Sequence, residues 1–350
     1  ILGGGQLARM SAYQAYKLGF DVAILEKQKN SPAGQLTHKE FVGWVEDKSI
    51  LKKFSAECDI VTLENEFIDH HYLEQVEEFG VQVLPSPKTI SLIQDKFLQK
   101  KSLEKKRIPV PKFLEVKTNS TYESLSKVLG SKFIVKSRKL GYDGYGNALV
   151  ENVAEFHDAL KKLSTRHIAL LAEEFVNFTK ELAVMVVRTK KETAVYPVVE
   201  TIQKNHVCHL VLAPAQIKEE IKKEADEIAV KCVKAVDGIG IYGIEMFLTS
   251  DGKLLVNEIA PRPHNSGHYT IEACYTSQFE NHVRAVFGLP LGSTKMVKPY
   301  AVMINLLGKT NGLPEPNNLK DVLKVEDAHV HLYGKSESRN GRKLGHITFV

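Results

Sequence analysis

Two apolar strands, each interrupted by a carboxylate, constrain this chain more tightly than anything else in it. Tyr242-Gly243-Ile244-Glu245-Met246-Phe247-Leu248 and Leu254-Leu255-Val256-Asn257-Glu258-Ile259-Ala260 flank Ser250-Asp251-Gly252, a turn sequence, and so predict a β-hairpin. An acid inside an apolar strand is costly to bury without a cation or a paired base. Glu245, Asn257 and Glu258 are oxygen donors, with no sulfur or clustered histidine on their strands. Hard donors of this kind suit magnesium bridging nucleotide phosphates, and the plainer alternative is salt bridges to core lysines. Strand alternation puts Asn257 and Glu258 on opposite faces, so both reach one ion only if the strand bends there. Past the strand, Pro261-Arg262-Pro263-His264-Asn265-Ser266-Gly267-His268 is a polar loop whose two prolines stiffen it and forbid a helix at their positions.

At 350 residues the chain exceeds one ordinary core and predicts two or three domains. An apolar content of 43% with 25% charge is that of a soluble globular protein. The net charge of +5 is small for this length, and runs such as Lys100-Lys101 and Lys105-Lys106-Arg107 read as a solvated helix face, not a nucleic-acid track. No apolar run approaches the roughly 20 residues that span a bilayer. Cys58, Cys208, Cys232 and Cys274 never form a CxxC pair, which suits a reducing compartment without a zinc site. The chain starts on Ile1 without a methionine and reads as a trimmed piece.

The first hundred residues alternate strand and helix: a strand tail at Ile1-Leu2, helix 6–18, strand 21–25, helix 49–56, strand 59–63. That order predicts parallel βαβ units. A helix from about Asp95 to Lys106, closed by Ile108-Pro109-Val110-Pro111, marks the boundary. Strands follow at 133–136, 169–175, 182–188 and 194–199, with a helix at 153–163 between the first two. Helix 217–236 precedes the acidic hairpin, and strands at 301–306, 328–333 and 346–350 form a last subdomain.

Several further segments carry chemistry, each beside a plainer reading. Gly3-Gly4-Gly5-Gln6-Leu7-Ala8 fits G-x-G-x-x-A at a strand-to-helix turn, with Glu26 placed as a ribose-binding acid; the alternative is a tight turn without a dinucleotide. Lys136 closes an apolar strand before Gly141-Tyr142-Asp143-Gly144-Tyr145-Gly146-Asn147, a loop able to bring backbone amides to phosphates and move as a lid. Read alone it is an exposed hairpin with a snorkelling lysine. Glu173 and Glu174, before Phe175 and Val176, can bond an adenine edge and a ribose; Glu181 shares the ambiguity of any strand-end acid. Arg262, His264, Asn265, Ser266 and His268 beside a metal site suit an anionic, hydroxyl-rich substrate; the alternative is that each is a satisfied loop residue. Lys335 and Arg342 add cations near the end.

The order of these motifs resembles the ATP-grasp superfamily. Gly3 to Leu7, Tyr142-Asp143-Gly144, Asn257 to His268 and Gly341-Arg342-Lys343-Leu344-Gly345-His346 are similar to the 5-(carboxyamino)imidazole ribonucleotide synthetases of purine biosynthesis. Val198 to Ile202 and Thr270 to Gln278 resemble the fungal and plant form, in which a mutase-type carboxylase domain follows this module. The resemblance implies an α/β ATP-grasp fold: a Rossmann-like domain over 1–94, an ATP-grasp domain over 95–290 with its lid at about 130–180, and a β-rich subdomain over 291–350. It implies ATP held by Lys96, Lys136, Gly144, Gly146, Asn147, Glu173, Glu174, Val176, Glu181 and Gln203. Magnesium would sit on Glu245, Asn257 and Glu258. Aminoimidazole ribonucleotide would lie against Gln6, Glu64, Tyr142, Asp143, Arg262, His264, Asn265, Ser266, Lys335 and Arg342, with Asp143, Arg262, His264 and Lys335 acting in the chemistry. Two departures stand out: Tyr145 takes the place of a common lid arginine, and Gln203 that of a histidine.

The expectation is a cytoplasmic ligase (plastid, if from a plant) joining bicarbonate to the substrate amine at the expense of ATP. It would be a homodimer with no nucleic-acid or membrane partner, and possibly fused to a C-terminal carboxylase domain. Alternatives are another ATP-grasp carboxylate–amine ligase, such as a formate-dependent glycinamide ribonucleotide transformylase, a dinucleotide-binding protein, and a non-catalytic ATP-grasp-like module.

Overall fold

The computed structural model describes residues 1–141, 146–164, 169–204, 207–314 and 319–350. Helix α1 (Gln6–Lys17) starts directly after the glycine turn. The N-terminal unit continues through β1 (Ile24–Glu26), β2 (Glu40–Val42), α2 (Lys48–Ser55), β3 (Ile60–Val61), α3 (His70–Glu78), β4 (Gln82–Val83) and α4 (Pro87–Gln94). Strands β1 and β2 pair in parallel, as do β3 and β4, and Leu2 bridges in parallel to both Leu25 and Leu63. Leu2 is therefore the centre of a parallel sheet ordered β2-β1-Leu2-β3-β4. Asp47, Asp69 and Ser86 cap the helices that follow them. Leu2, Leu25, Leu51, Phe54, Val61, Leu73, Val83 and Ile90 bury the apolar faces together.

Asp95 ends α4 and caps α5 (Lys96–Lys105), so the two helices meet at one residue. Then come β5 (Phe113–Val116), α6 (Tyr122–Leu129), β6 (Phe133–Ser137), β7 (Asn147–Val150), α7 (Val153–Ser164) and β8 (Leu170–Glu174). They form an antiparallel sheet in the order β5-β8-β6-β7, backed by α6 and α7 through Leu125, Phe133, Phe156 and Ala172.

The largest sheet is built from β9 (Phe178–Arg188), β10 (Thr193–Val195), β11 (Val199–Lys204), β12 (Val207–Ala213), β13 (Gly240–Thr249), β14 (Leu254–Ala260), β15 (Ala301–Leu307), β16 (Ala328–Leu332) and β17 (Lys343–Phe349). Its order is β14-β13-β9-β11-β12-β15-β17-β16, with β10 on the remaining length of β9. Leu182 to Val187 read as one apolar run because both faces of β9 are covered. Leu182, Val184 and Val186 meet the helix α8 (Glu219–Ala235). Ala183, Met185 and Val187 face the side that carries α9 (Thr270–Ala273) and α10 (Gln278–Val286). A short α11 (Leu319–Val322) lies before β16.

Two expectations need correction. The strand foreseen over 194–199 is two strands, broken at Tyr196-Pro197-Val198, where Pro197 cannot donate to a ladder. The β-rich C-terminal subdomain joins the large sheet through the pairing of β12 with β15. The basic run of α5 is not uniformly solvated: Lys101 is exposed, but Lys100 is buried.

Candidate active site

The acidic hairpin settles its own geometric difficulty with a bulge. In the ladder between β13 and β14, Glu245 lies opposite Glu258 and Met246 opposite Val256, so Asn257 is the extra residue. A bulge re-aims a side chain that strict alternation would send to the other face. Asn257 Nδ2 accordingly donates to Glu245 Oε2 at 3.3 Å. Two carboxylates directly across a ladder repel each other. Burial first, and then Glu258 and Glu181, push Glu245 up to about 7. A hard cation would relieve that repulsion, and the three oxygen donors fit one.

Lysines close in on this hairpin from α5 and from the smaller sheet. Lys96 Nζ lies 2.6 Å from Glu258 Oε2. Lys136 Nζ lies 2.6 Å from Glu173 Oε1, and Lys100 Nζ 2.7 Å from Glu173 Oε2. Burial opposes ionisation of Glu173, but the two ammonium groups outweigh it and hold its carboxyl down at about 2. Glu173 thus braces two lysines; it is not an open acid at a strand end. Arg138, two residues beyond Lys136, forks onto Asp95 at 2.9 and 2.6 Å, tying the end of β6 to the start of α5.

The Pro-His loop joins the hairpin to both flanking units. Arg262 spans Glu66 of the N-terminal unit with two bonds, Nε to Oε2 at 2.5 Å and Nη2 to Oε1 at 3.1 Å. His264 Nδ1 lies 2.7 Å from Ser266 Oγ and accepts from the Ser266 amide at 3.4 Å, which leaves the proton on Nε2, 3.4 Å from Glu245 Oε1. Burial, then Arg262 and Lys343, hold His264 down at about 3, so the ring is neutral. Asn265 and Asn305 of β15 exchange reciprocal amide bonds of 2.8 and 2.7 Å. Gln278, fully buried at the start of α10, accepts from the His264 amide at 2.9 Å and donates to its carbonyl at 2.7 Å. Its Nε2 also lies 3.0 Å from His268 Nδ1.

At the glycine turn two amides are already engaged by side chains of the protein. Glu26 Oε2 accepts from the Gly4 amide at 2.9 Å, and Glu64 Oε1 from that of Leu7 at 3.3 Å. Any side chain on Gly5 would run into the Glu64 carboxylate. Burial foremost raises Glu64 above its ordinary range. Gln6 is half-buried at the same turn.

The remaining residues foreseen from sequence lie around this centre or beyond it. A cavity of about 250 Å³ is lined by Glu66, Lys96, Lys139, Gly141, Glu258 and Ile259. Tyr142, Asp143 and Gly144, which come next in the chain, lie outside the described residues, as does Tyr145. Gly146 accepts from the Ser137 amide at 2.7 Å, and Asn147 pairs with Lys136 across the ladder. Glu174 turns away to accept from the Lys112 amide at 2.8 Å, and Val176 lies just past β8. Glu181 sits on β9 between Thr201 and Phe247, while Gln203 is exposed beside a ladder irregularity in β11. Lys335 Nζ stands 5.9 Å from the centre of the Tyr333 ring, and Gln35 holds the Gly334 carbonyl at 2.9 Å. Arg342 donates to the Glu337 carbonyl at 2.9 Å, on a hairpin turn. Lys100, Glu66 and Gln278 were not foreseen as site residues. For Lys100 the available signal was its spacing, one helical turn after Lys96 on the same face.

Residues 1–94 match the model of the ribonucleotide synthetase preATP-grasp domain, 101–279 that of the ATP-grasp domain, and 301–350 that of the phosphoribosylaminoimidazole carboxylase C-terminal domain. The chain is 42% identical to the N5-carboxyaminoimidazole ribonucleotide synthase of Synechococcus elongatus, over 99% of this chain and 88% of that one. It is 44% identical to the phosphoribosylaminoimidazole carboxylase of Ogataea methanolica over its whole length, and spans about two thirds (66%) of that protein. The crystal structure of N5-carboxyaminoimidazole synthase from Aspergillus clavatus in complex with ADP and 5-aminoimidazole ribonucleotide superposes with a TM-score of 0.92. The identity there is 38%, over all of this chain and 92% of that one.

Proposed function

Because the chain belongs to the N5-carboxyaminoimidazole ribonucleotide synthase family, we propose that it carboxylates 5-aminoimidazole ribonucleotide with bicarbonate, converting ATP to ADP and phosphate. The observation that carries this reading is the junction at Asn257 to His264. The bulge gathers Glu245, Asn257 and Glu258, and the loop that follows sets His264 within 3.4 Å of Glu245. A metal-nucleotide site and a polar substrate loop are thereby made contiguous.

Magnesium would be held by Glu245, Glu258 and Asn257, and when bound it supplies positive charge against the nucleotide phosphates. Lys96 and Lys136 bring further compact charges to those phosphates, with Glu173 fixing the second of them. Such phosphoryl transfer depends on positioning and electrostatics. Bicarbonate takes the γ-phosphoryl group to give carboxyphosphate. The substrate amine then attacks its carbon, or that of carbon dioxide released from it, and phosphate departs. Arg262, held by Glu66, and neutral His264 orient the ribonucleotide together with Asn265 and Ser266, and Lys335 with Asp143 orients the reacting amine. Gln6, Glu64, Tyr142 and Arg342 complete the substrate contacts, and Val176, Glu181 and Gln203 those to the nucleotide.

The test is phosphate release from ATP in bicarbonate buffer, with and without aminoimidazole ribonucleotide. Stimulation by that substrate, and not by glycinamide ribonucleotide with formate, is the expected result; folded protein without it would overturn the reading. The dinucleotide alternative is disfavoured by Glu26 and Glu64, which place two carboxylates at the turn and hold the Gly4 and Leu7 amides. Among the described residues no helix is long and apolar enough to cross a membrane. The reading also includes a cytoplasmic homodimer and a fusion to a carboxylase domain, as in the fungal and plant form that the chain resembles.

A further inference from the structure

Helix α5 covers an edge. Strand β14 ends the large sheet, and its outward backbone groups need partners other than a further strand. Gln99 supplies two: its Oε1 accepts from the Ile259 amide at 3.0 Å, and its Nε2 donates to the Ile259 carbonyl at 3.2 Å. The next side chain, Lys100, is 2% exposed and donates from Nζ to the carbonyl of Asn257, the bulge residue itself, at 3.2 Å. The same ammonium is ion-paired at 2.7 Å with Glu173 of β8, whose other oxygen holds Lys136 of β6 at 2.6 Å. One buried charge therefore touches the backbone of the metal-binding bulge on one sheet and the carboxylate bracing the phosphate lysine on the other. Three charges share this buried space, two positive and one negative, and such a cluster holds its geometry only while every member is present.

We propose that Lys100 is a positioning residue for the metal-nucleotide complex. It sets the separation between Lys136, through Glu173, and the bulge that aims Asn257 and Glu258. The proposal rests on the ATP-grasp reading of this site, and it concerns binding, not turnover. Lys100 need not touch the nucleotide; it acts through the groups that do.

The experiment is calorimetric titration of ADP, at low and at saturating free magnesium, into the wild-type chain and into Lys100→Met and Lys100→Arg. Aminoimidazole ribonucleotide is titrated into each as the internal control. Lys100→Met is expected to weaken ADP by about tenfold or more and to raise the magnesium needed for half-saturation, with the ribonucleotide affinity within about twofold. Lys100→Arg, which keeps a cation with several donors, is expected to recover part of both. Unchanged ADP and magnesium dependence in folded Lys100→Met would overturn the proposal, as would an equal loss of ribonucleotide affinity, the mark of a merely structural role. Should Lys100→Met fail to fold, Lys100→Met/Glu173→Gln is compared with Glu173→Gln alone: because the path runs through Glu173, little further loss of magnesium-ADP affinity supports the proposal, and a further loss of about tenfold would overturn it. Because ADP binding is read without turnover, failure of the carboxylation assay in the wild-type chain leaves this result independent.

Discussion

At the scale of single residues, the structure assigns different consequences to side chains of similar type. Glu258→Gln removes the charge that pairs with Lys96 and that the proposed metal site would use, but keeps the size and one oxygen. The expected outcome is an intact fold with magnesium-dependent turnover reduced by roughly a hundredfold or more, about 2.7 kcal/mol, in a phosphate-release assay. Retained turnover would refute the metal role. His282, fully buried on α10, lies 2.9 Å from Thr62 Oγ1 of the N-terminal unit and accepts from the Ile241 amide at 3.3 Å. Burial lowers it to about 4. The unfolded chain takes up this proton below about 6.5, whereas the folded chain does so only near 4. Its contribution is therefore complete above pH 6.5 and lost as pH falls toward 4, about 3 kcal/mol over that window. Urea midpoints measured from pH 7 to 4.5 should fall, and His282→Asn should flatten part of the slope. An identical slope in the variant would remove His282 as a cause.

At the scale of elements, the acidic hairpin was legible because lone acids in apolar runs are rare and energetically conspicuous. What could not be read was how both Asn257 and Glu258 reach one place, since a bulge is a property of the pair of strands and not of either sequence. Lys100 was misjudged for a related reason. A run of lysines on a helix is normally solvated, and only the sheet edge beside α5, with Glu173 beyond it, makes one of them buried. Pro197 was a readable break, but the apolar run on each side masked it. Gln278 gave no local signal at all, because its role is to substitute for a backbone partner of His264. Gln278→Ala should therefore loosen the substrate loop from α10. The expected result is aminoimidazole ribonucleotide bound about tenfold more weakly, roughly 1.4 kcal/mol, with magnesium-ADP little changed. Equal weakening of both ligands in calorimetry would argue against this assignment.

At the scale of the molecule, the smaller sheet has its own apolar core and meets α5 through the ion pairs of Lys100 and Arg138, the Lys96 amide on the Arg138 carbonyl and the Phe97–Phe113 ring contact. Hydrogen exchange of β5 to β8 should accordingly be faster than that of β9 and β13, and magnesium-ADP should slow it selectively. Uniform protection across both sheets would contradict that division. The large sheet behaves otherwise, because the C-terminal strands extend it through β12 and β15. The Pro-His loop sits where all of this meets, tied to Glu66 on one side and to Asn305 on the other. It is consequently not a portable cassette. Recombining this chain with a relative should yield active chimeras only when the crossover carries residues 261–268 together with the parental partners of both Arg262 and Asn265, so the ends of the chain must be inherited as a pair.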